Sequence, residues 1–231
     1  MGGFNNVTIG GVKMSDMGLA LENKEIGLPD IQTKQIQIPF RDGALDLTNV
    51  LSGRPHYGNR ELKLNMNCID PDKLSKMSSV ANALHGQKAR IIFDEDPNWF
   101  YWGRLDLSSF KENRLGGEYV IKADCDPFKY AITSSDEDWL WNPFSFEDGV
   151  IQEFSNIQNV GTMPYVLIAD EMPTLAKITT SAQITVTYEG VAVIVYPGTT
   201  TLYEFQFAPG ENEFTISGTA TVSIDYRGGR L

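Results

Sequence analysis

The chain has 231 residues, is 42% apolar and carries a formal charge of −11. It contains no run of 18 or more apolar residues, so no helical membrane span is expected. Its first residues, MGGFNNVTIGG, lack the basic and apolar regions of a secretory signal. The two cysteines, Cys68 and Cys125, are too few for a disulfide framework. Each falls on an apolar strand face, so both are expected as buried free thiols.

The charge is unevenly placed. Residues 1–130 hold 16 Lys+Arg against 17 Asp+Glu, whereas residues 131–231 hold 3 against 13. A break this sharp argues for two domains, read as residues 1–132 and 133–231. It also argues against specific nucleic-acid binding by the second half, which would repel phosphates. Plain solubility is the simplest role for the acidity.

Val7-Thr8-Ile9 alternates and is broken by Gly10-Gly11. Gln35-Ile36-Gln37-Ile38 alternates as a half-buried strand should, and Asp42-Gly43 can take the positive φ angles of a tight turn. Residues 31–50 are therefore expected to form a long hairpin that projects as an arm. Residues 61–68, ELKLNMNC, place four apolar side chains at period two. Asp70-Pro71 is a good helix cap and first turn. Leu74, Met77, Ala81 and Leu84 then share a helical stripe, which Gly86 stops. Ile91-Ile92-Phe93, the block Trp99-Phe100-Tyr101-Trp102 and residues 119–123 supply further strands. Four rings in a row cannot all face one side of a strand. Both faces must be covered, either by protein on each side, the favoured reading, or by protein on one side and a partner on the other.

After residue 133 the rhythm changes. Segments 166–169, 176–179, 183–188, 191–196, 202–207, 213–216 and 220–226 read as strands, punctuated by Glu189-Gly190, Pro197-Gly198, Pro209-Gly210 and Ser217-Gly218. Short, evenly spaced strands rich in Thr, Val and Ile make a sandwich or jelly roll. The fold class is mainly β.

Catalytic chemistry is poorly supported. The two histidines, His56 in a Gly/Pro-rich loop and His85 at a helix end, have no nucleophile motif beside them. Asp94-Glu95-Asp96 and the pair Asp124, Asp126 are acidic, but adjacent acids in an Asp-Pro turn usually solvate the turn. No catalytic residue, metal site or cofactor is expected. Trp139, Trp141, Tyr188 and Tyr203 are candidates for contacting a glycan or a protein partner.

Several segments resemble siphophage distal tail proteins. IPFRDGALDLT (38–48) is similar to that family's IPG-RDG-x-LDLT segment, and Tyr57 to Leu62 to its Y-x-x-R-x-I step. LHGQKARIIFDEDPNWFYWGRL (84–105) resembles LHG…I-x-FDDDP-x-x-YY-x-GR, and DCDPFKY (124–130) the DPF-x-Y close of the first domain. NVGTMPYVLI (159–168) is similar to the start of the second domain, and IDYRGGRL (224–231) to its final strand. Phe40 stands where the family pattern has glycine.

The resemblance implies a structural virion protein made in the host cytoplasm and placed at the tip of a long non-contractile tail. It implies a hexameric ring, with an N-terminal β-sandwich bearing one α-helix and a protruding hairpin, and a C-terminal galectin-like jelly-roll β-sandwich. The implied partners are the tail tube protein, a tail-associated hub protein and receptor-binding or baseplate proteins. Ile36, Ile38, Phe40, Arg41, Asp42, Leu45 and Leu47 on the arm are the candidate ring contacts. The alternative is a carbohydrate-binding adaptor that contacts host cell-wall glycans. An enzyme using acids near Asp94 or Asp124 is a distant third reading.

Overall fold

A computed structural model describes residues 6–50, 53–68, 73–112, 116–137 and 152–231. The expected Asp70-Pro71 cap and the candidates Trp139 and Trp141 lie outside the described residues, as does the side chain of Leu74. The chain forms two compact units, Met1–Lys129 and Tyr130–Leu231. Both are built mainly of antiparallel strands, with one helix in the first unit among the described residues.

In the first unit the strands are β1 (Val7–Ile9), β2 (Val12–Lys13), β3 (Ala20–Ile26), β4 (Gln35–Gln37), β5 (Ala44–Asp46), β6 (Arg60–Cys68), β7 (Lys88–Phe93), β8 (Trp99–Glu112) and β9 (Gly117–Ala131). They order as β2-β1-β7-β8-β9-β6-β3, with β4-β5 forming a separate ribbon. The period-two pattern of residues 61–68 lies on β6, whose Leu62, Leu64, Met66 and Cys68 are fully buried. Helix α1 (Lys73–Leu84) sets Val80 and Leu84 into that core and ends before Gly86, where φ is +77°. Val80 joins the expected stripe because it lies three residues from Met77 and four from Leu84.

Strand β3 carries no alternation that a sequence reading could use. Its residues, ALENKEI, are mostly exposed, and it forms the outer edge of the sheet. Charge on an edge strand discourages pairing with other chains, which explains a strand without an apolar face.

The second unit contains β10 (Ile157–Asn159), β11 (Thr162–Ala169), β12 (Lys177–Thr180), β13 (Ile184–Tyr188), β14 (Val191–Val195), β15 (Gly198–Thr201), β16 (Gly210–Ser217), β17 (Ala220–Asp225) and β18 (Gly229–Arg230). Two sheets, β10-β17-β12-β15 and β11-β16-β13-β14, share one core around Leu167, Ile178, Val186, Phe205, Phe207, Ile216 and Val222.

One expected strand is absent. Residues 202–207 form a loop, and the strand in this region is β15, just before it. Leu202, Phe205 and Phe207 are buried while Tyr203 is exposed. The Leu202 N–H donates to the Ala176 carbonyl, and the Tyr203 N–H turns back to Thr201. The alternation read from the sequence comes from rings filling the core from a loop, not from a ladder.

Candidate assembly surfaces

The arm is exposed along both of its strands. Gln35, Ile36 and Gln37 pair with Asp46, Leu45 and Ala44. The expectation of a half-buried strand fails here, because every residue of both strands is exposed. The ribbon covers no part of its own core. The turn is also longer than Asp42-Gly43. Pairing stops at Gln37↔Ala44, because the Ile38 carbonyl accepts from the Arg41 N–H at 3.2 Å and so closes a turn through Pro39 and Phe40 instead of continuing the ladder.

Residues 38–43 close the loop with Phe40 at φ +64° and Gly43 at φ +75°. A left-handed backbone is unfavourable for an aromatic residue, by about 1–2 kcal/mol. Phe40 therefore keeps the conformation that a glycine would adopt freely, and it is fully exposed at 110%. Ile36, Ile38 and Leu45 are exposed beside it, as are Arg41 and Asp42, while Leu47 is half-buried at the base.

The base is locked. The Thr48 N–H and hydroxyl both donate to Asp46, and the Lys34 N–H donates to the Thr48 hydroxyl. These bonds hold the Asp46 carboxyl below the usual carboxylate range. The Leu47 N–H closes the frame on the Lys34 carbonyl at 2.8 Å. The residues LDLT thus fix the base of the arm.

The other motifs of the first unit meet in one packing cluster. Tyr57 stands edge-on to Phe128, with ring centroids 6.0 Å apart. Arg60, 2% exposed, lies with its guanidinium 5.4 Å from the Tyr101 ring centre. An ideal Cβ on Gly103 would sit 2.3 Å from the Cys125 sulfur and 2.8 Å from the Asp124 carbonyl oxygen. Only glycine lets β8 and β9 approach this closely. The Arg104 guanidinium donates to the Gly86 carbonyl at 2.7 Å, tying the helix exit to the strand.

The acidic turn is neutralised locally: Asp94 faces Lys13 at 3.3 Å, Glu95 faces Lys24 at 2.6 Å and Asp96 faces Lys129 at 2.7 Å. Asp126 faces Lys88 at 3.3 Å, and Asp124 accepts from the Asn59 amide at 3.1 Å. His85 Nδ1 accepts from the Leu107 N–H at 3.1 Å, a structural contact at the helix end.

The aromatic block sits on β8. Phe100 and Tyr101 are both buried although they point to opposite faces, so protein covers both sides. Cations of the same unit lie over the rings: Lys129 over Trp99, Arg90 over Phe100 and Lys88 over Trp102. The internal-strand reading of the block holds.

Both cysteines are free and buried. Burial pushes the Cys125 thiol up to about 12, and the carboxylates of Asp126 and Asp124 add to the shift. The native protein should therefore ignore thiol reagents at pH 8, and both cysteines should react once it is denatured. Because the folded value lies above the thiol's ordinary value of 9.0, the unfolded chain loses this proton first as pH rises. The associated stability is intact below about pH 9 and lost progressively toward pH 12. Denaturant titrations across that range check the sign. Tyr101 and Tyr226, both raised mainly by burial, act in the same direction.

In the second unit, Tyr188 does not stand at a contact surface. It is 7% exposed, packs against Phe205 and Phe207, and donates its hydroxyl to Asn212 at 2.7 Å. Its position on β13 opposite buried Phe214 turns it inward. Tyr203 is exposed, as is Tyr196, which sequence reasoning passed over. Two side-chain amides act as knots. Asn159 donates to the carbonyls of Gly161 and Gly218 and accepts from the Tyr165 hydroxyl. Gly161, at φ +75°, turns the chain there, which accounts for the N-x-GT pattern. Asn212 donates to the carbonyls of Ala208, Gly210 and Leu167 and accepts from the Ala208 N–H.

Among the described residues no group of three or more His, Cys, Asp and Glu side chains is placed to hold a metal ion. No helix among them is long and apolar enough to cross a membrane.

No protein-family model matches the chain, and no curated protein matches it. Among solved structures the chain is similar to the SPP1 Dit protein, described as a paradigm of hub adsorption apparatus in Gram-positive infecting phages. The two share 12% identity with a TM-score of 0.59, over 98% of this chain and 99% of that one. The likeness therefore covers both units, and the fold is the mainly β, Dit-like fold.

Proposed function

We propose that this chain is a structural hub subunit of a long non-contractile phage tail. Six copies form a ring at the tail tip that joins the tail tube to the baseplate or host-adhesion device. In this reading the first unit builds the ring, and the second carries receptor-binding or baseplate proteins.

The observation that supports it most is the arm, a two-stranded ribbon with exposed apolar side chains and no core of its own. A closed ring repeats one contact between two different surfaces, and an arm reaching a neighbour supplies such a contact. The full-length likeness to a hub adsorption protein agrees. The motif residues agree as well: in the first unit they pack strands together, and at residues 159–161 they fix a turn.

The purified chain should give a six-subunit mass by light scattering and closed rings in negative-stain images. A strict monomer at every concentration, alone and with its neighbouring tail proteins, would falsify the reading.

A further inference from the structure

The second unit presents four sheet edges, and the described residues show that three are blunted. Strand β11 contains Pro164, and the side-chain amide of Gln152 takes both backbone groups of Ile168, at 2.7 and 2.8 Å. Strand β10 has only three residues and follows Asn156 at φ +51°. Strand β15 is Gly-Thr-Thr-Thr, entered through Pro197 and Gly198 at φ +117°.

The fourth edge, β14, is different: among the described residues no strand pairs with its outer side. Val191-Ala192-Val193-Ile194-Val195 and the following Tyr196 contain no charge, proline or glycine. The strand pairs in unbroken register with β13, from Val191↔Tyr188 to Val195↔Ile184. The tight turn Glu189-Gly190, with both φ angles positive, fixes that register. Val191, Ile194 and Tyr196 are each half or more exposed. An apolar, regular, uncharged edge is a template for another strand, and β14 lacks the devices with which natural proteins blunt such edges.

Charge selects what pairs. Residues 131–231 hold 13 Asp+Glu against 3 Lys+Arg. Two of those three cations, Arg227 and Arg230, are largely buried in ion pairs with Asp225, Glu137 and Asp170. A second copy would bring the same negative field, whereas a basic chain is attracted to it.

We infer that the free edge of β14 is a β-augmentation site for an extended, basic segment of a partner protein. The segment adds a fifth strand to the sheet β11-β16-β13-β14 by main-chain hydrogen bonds. It presents apolar or β-branched residues beside Val191 and Ile194, with lysine or arginine at its ends. This does not rest on ring formation by the first unit.

Synthetic ten-residue peptides test it on the full-length protein: a Thr/Val core flanked by two lysines at each end, and the same core flanked by glutamates. Amide exchange should be fast along the outer side of β14 in the free protein and slow with the basic peptide. Raising the salt should weaken the effect, and the acidic peptide should produce none. Ile194→Lys puts a charge on an exposed edge position without opening the core. It should weaken basic-peptide binding by about tenfold or more, while Ile194→Thr should change it by less than about threefold. The inference is overturned by equal binding of both peptides, by binding of neither or by indifference to Ile194→Lys. It also fails if β14 is already protected in the isolated monomer, or if the protein self-associates in a way that Ile194→Lys abolishes.

Discussion

Removing residues 33–47 and bridging Gln32 to Thr48 with two glycines should leave a folded protein that no longer self-associates. The fold should survive because both strands of the arm are exposed throughout, so their loss opens no cavity. The joint is short because Lys34 and Leu47 are already hydrogen-bonded across the base. Association should fail because the arm holds the candidate apolar contacts. Burying Ile36, Ile38, Phe40 and Leu45 in a neighbour would contribute roughly 1.5–3 kcal/mol each. Lost rigid-body freedom opposes association by an estimated 4–15 kcal/mol, so the two terms are of similar size and the contact cannot spare the arm.

Phe40→Asn refines the test. Asparagine tolerates the left-handed backbone that Phe40 occupies, so the turn is kept and only the ring is removed. Light scattering on both variants should show a smaller assembly at equal concentration, with thermal midpoints near that of the parent. If the deletion variant still assembles fully, the arm is not the clasp.

Asn212→Ala should strongly destabilise the second unit although it removes no apolar surface from the core. Asn212 is 3% exposed and its amide joins β16 to β11 and to the loop of residues 202–209. Truncation removes the partner of the Tyr188 hydroxyl, the Ala208 N–H and carbonyl, and the Gly210 carbonyl. Each buried polar group left unpaired costs about 1–3 kcal/mol, and partial rehydration of the loop limits the sum to about 3–5 kcal/mol. For a unit of this size that corresponds to a midpoint lower by on the order of 15 °C, readable by calorimetry. Asn212→Asp tests the donor side alone: it keeps an acceptor for Tyr188 and Ala208 but sets a carboxylate against the carbonyls. A change below about 1 kcal/mol for Asn212→Ala would mean that solvent reaches this site in the folded protein.

The sequence reading worked best where one face of a strand is buried. Residues 61–68, 184–188 and 220–225 alternate because a core on one side enforces it, and each is a strand. It failed where alternation had another origin. Gln35 to Ile38 alternates with neither face covered, and residues 202–207 carry rings inward from a loop. It missed β3, because an edge strand armoured with charge has no apolar period to detect. Tyr188 and Tyr203 looked alike as candidates, since nothing local to a tyrosine reports which sheet face it occupies.

Composition, charge and period by themselves determined the mainly β class, the acidic second half, the free buried thiols and the existence of a hairpin near residues 31–50. These depend on local propensity and on counts, which the chain carries wherever it folds. Tertiary structure decided the rest. The exposure of the arm on both faces, the left-handed Phe40, the inward Tyr188 and the place of β14 at the end of its sheet all depend on which strands become neighbours. Neighbours are chosen by long-range pairing, where a single residue of register reverses inside and outside.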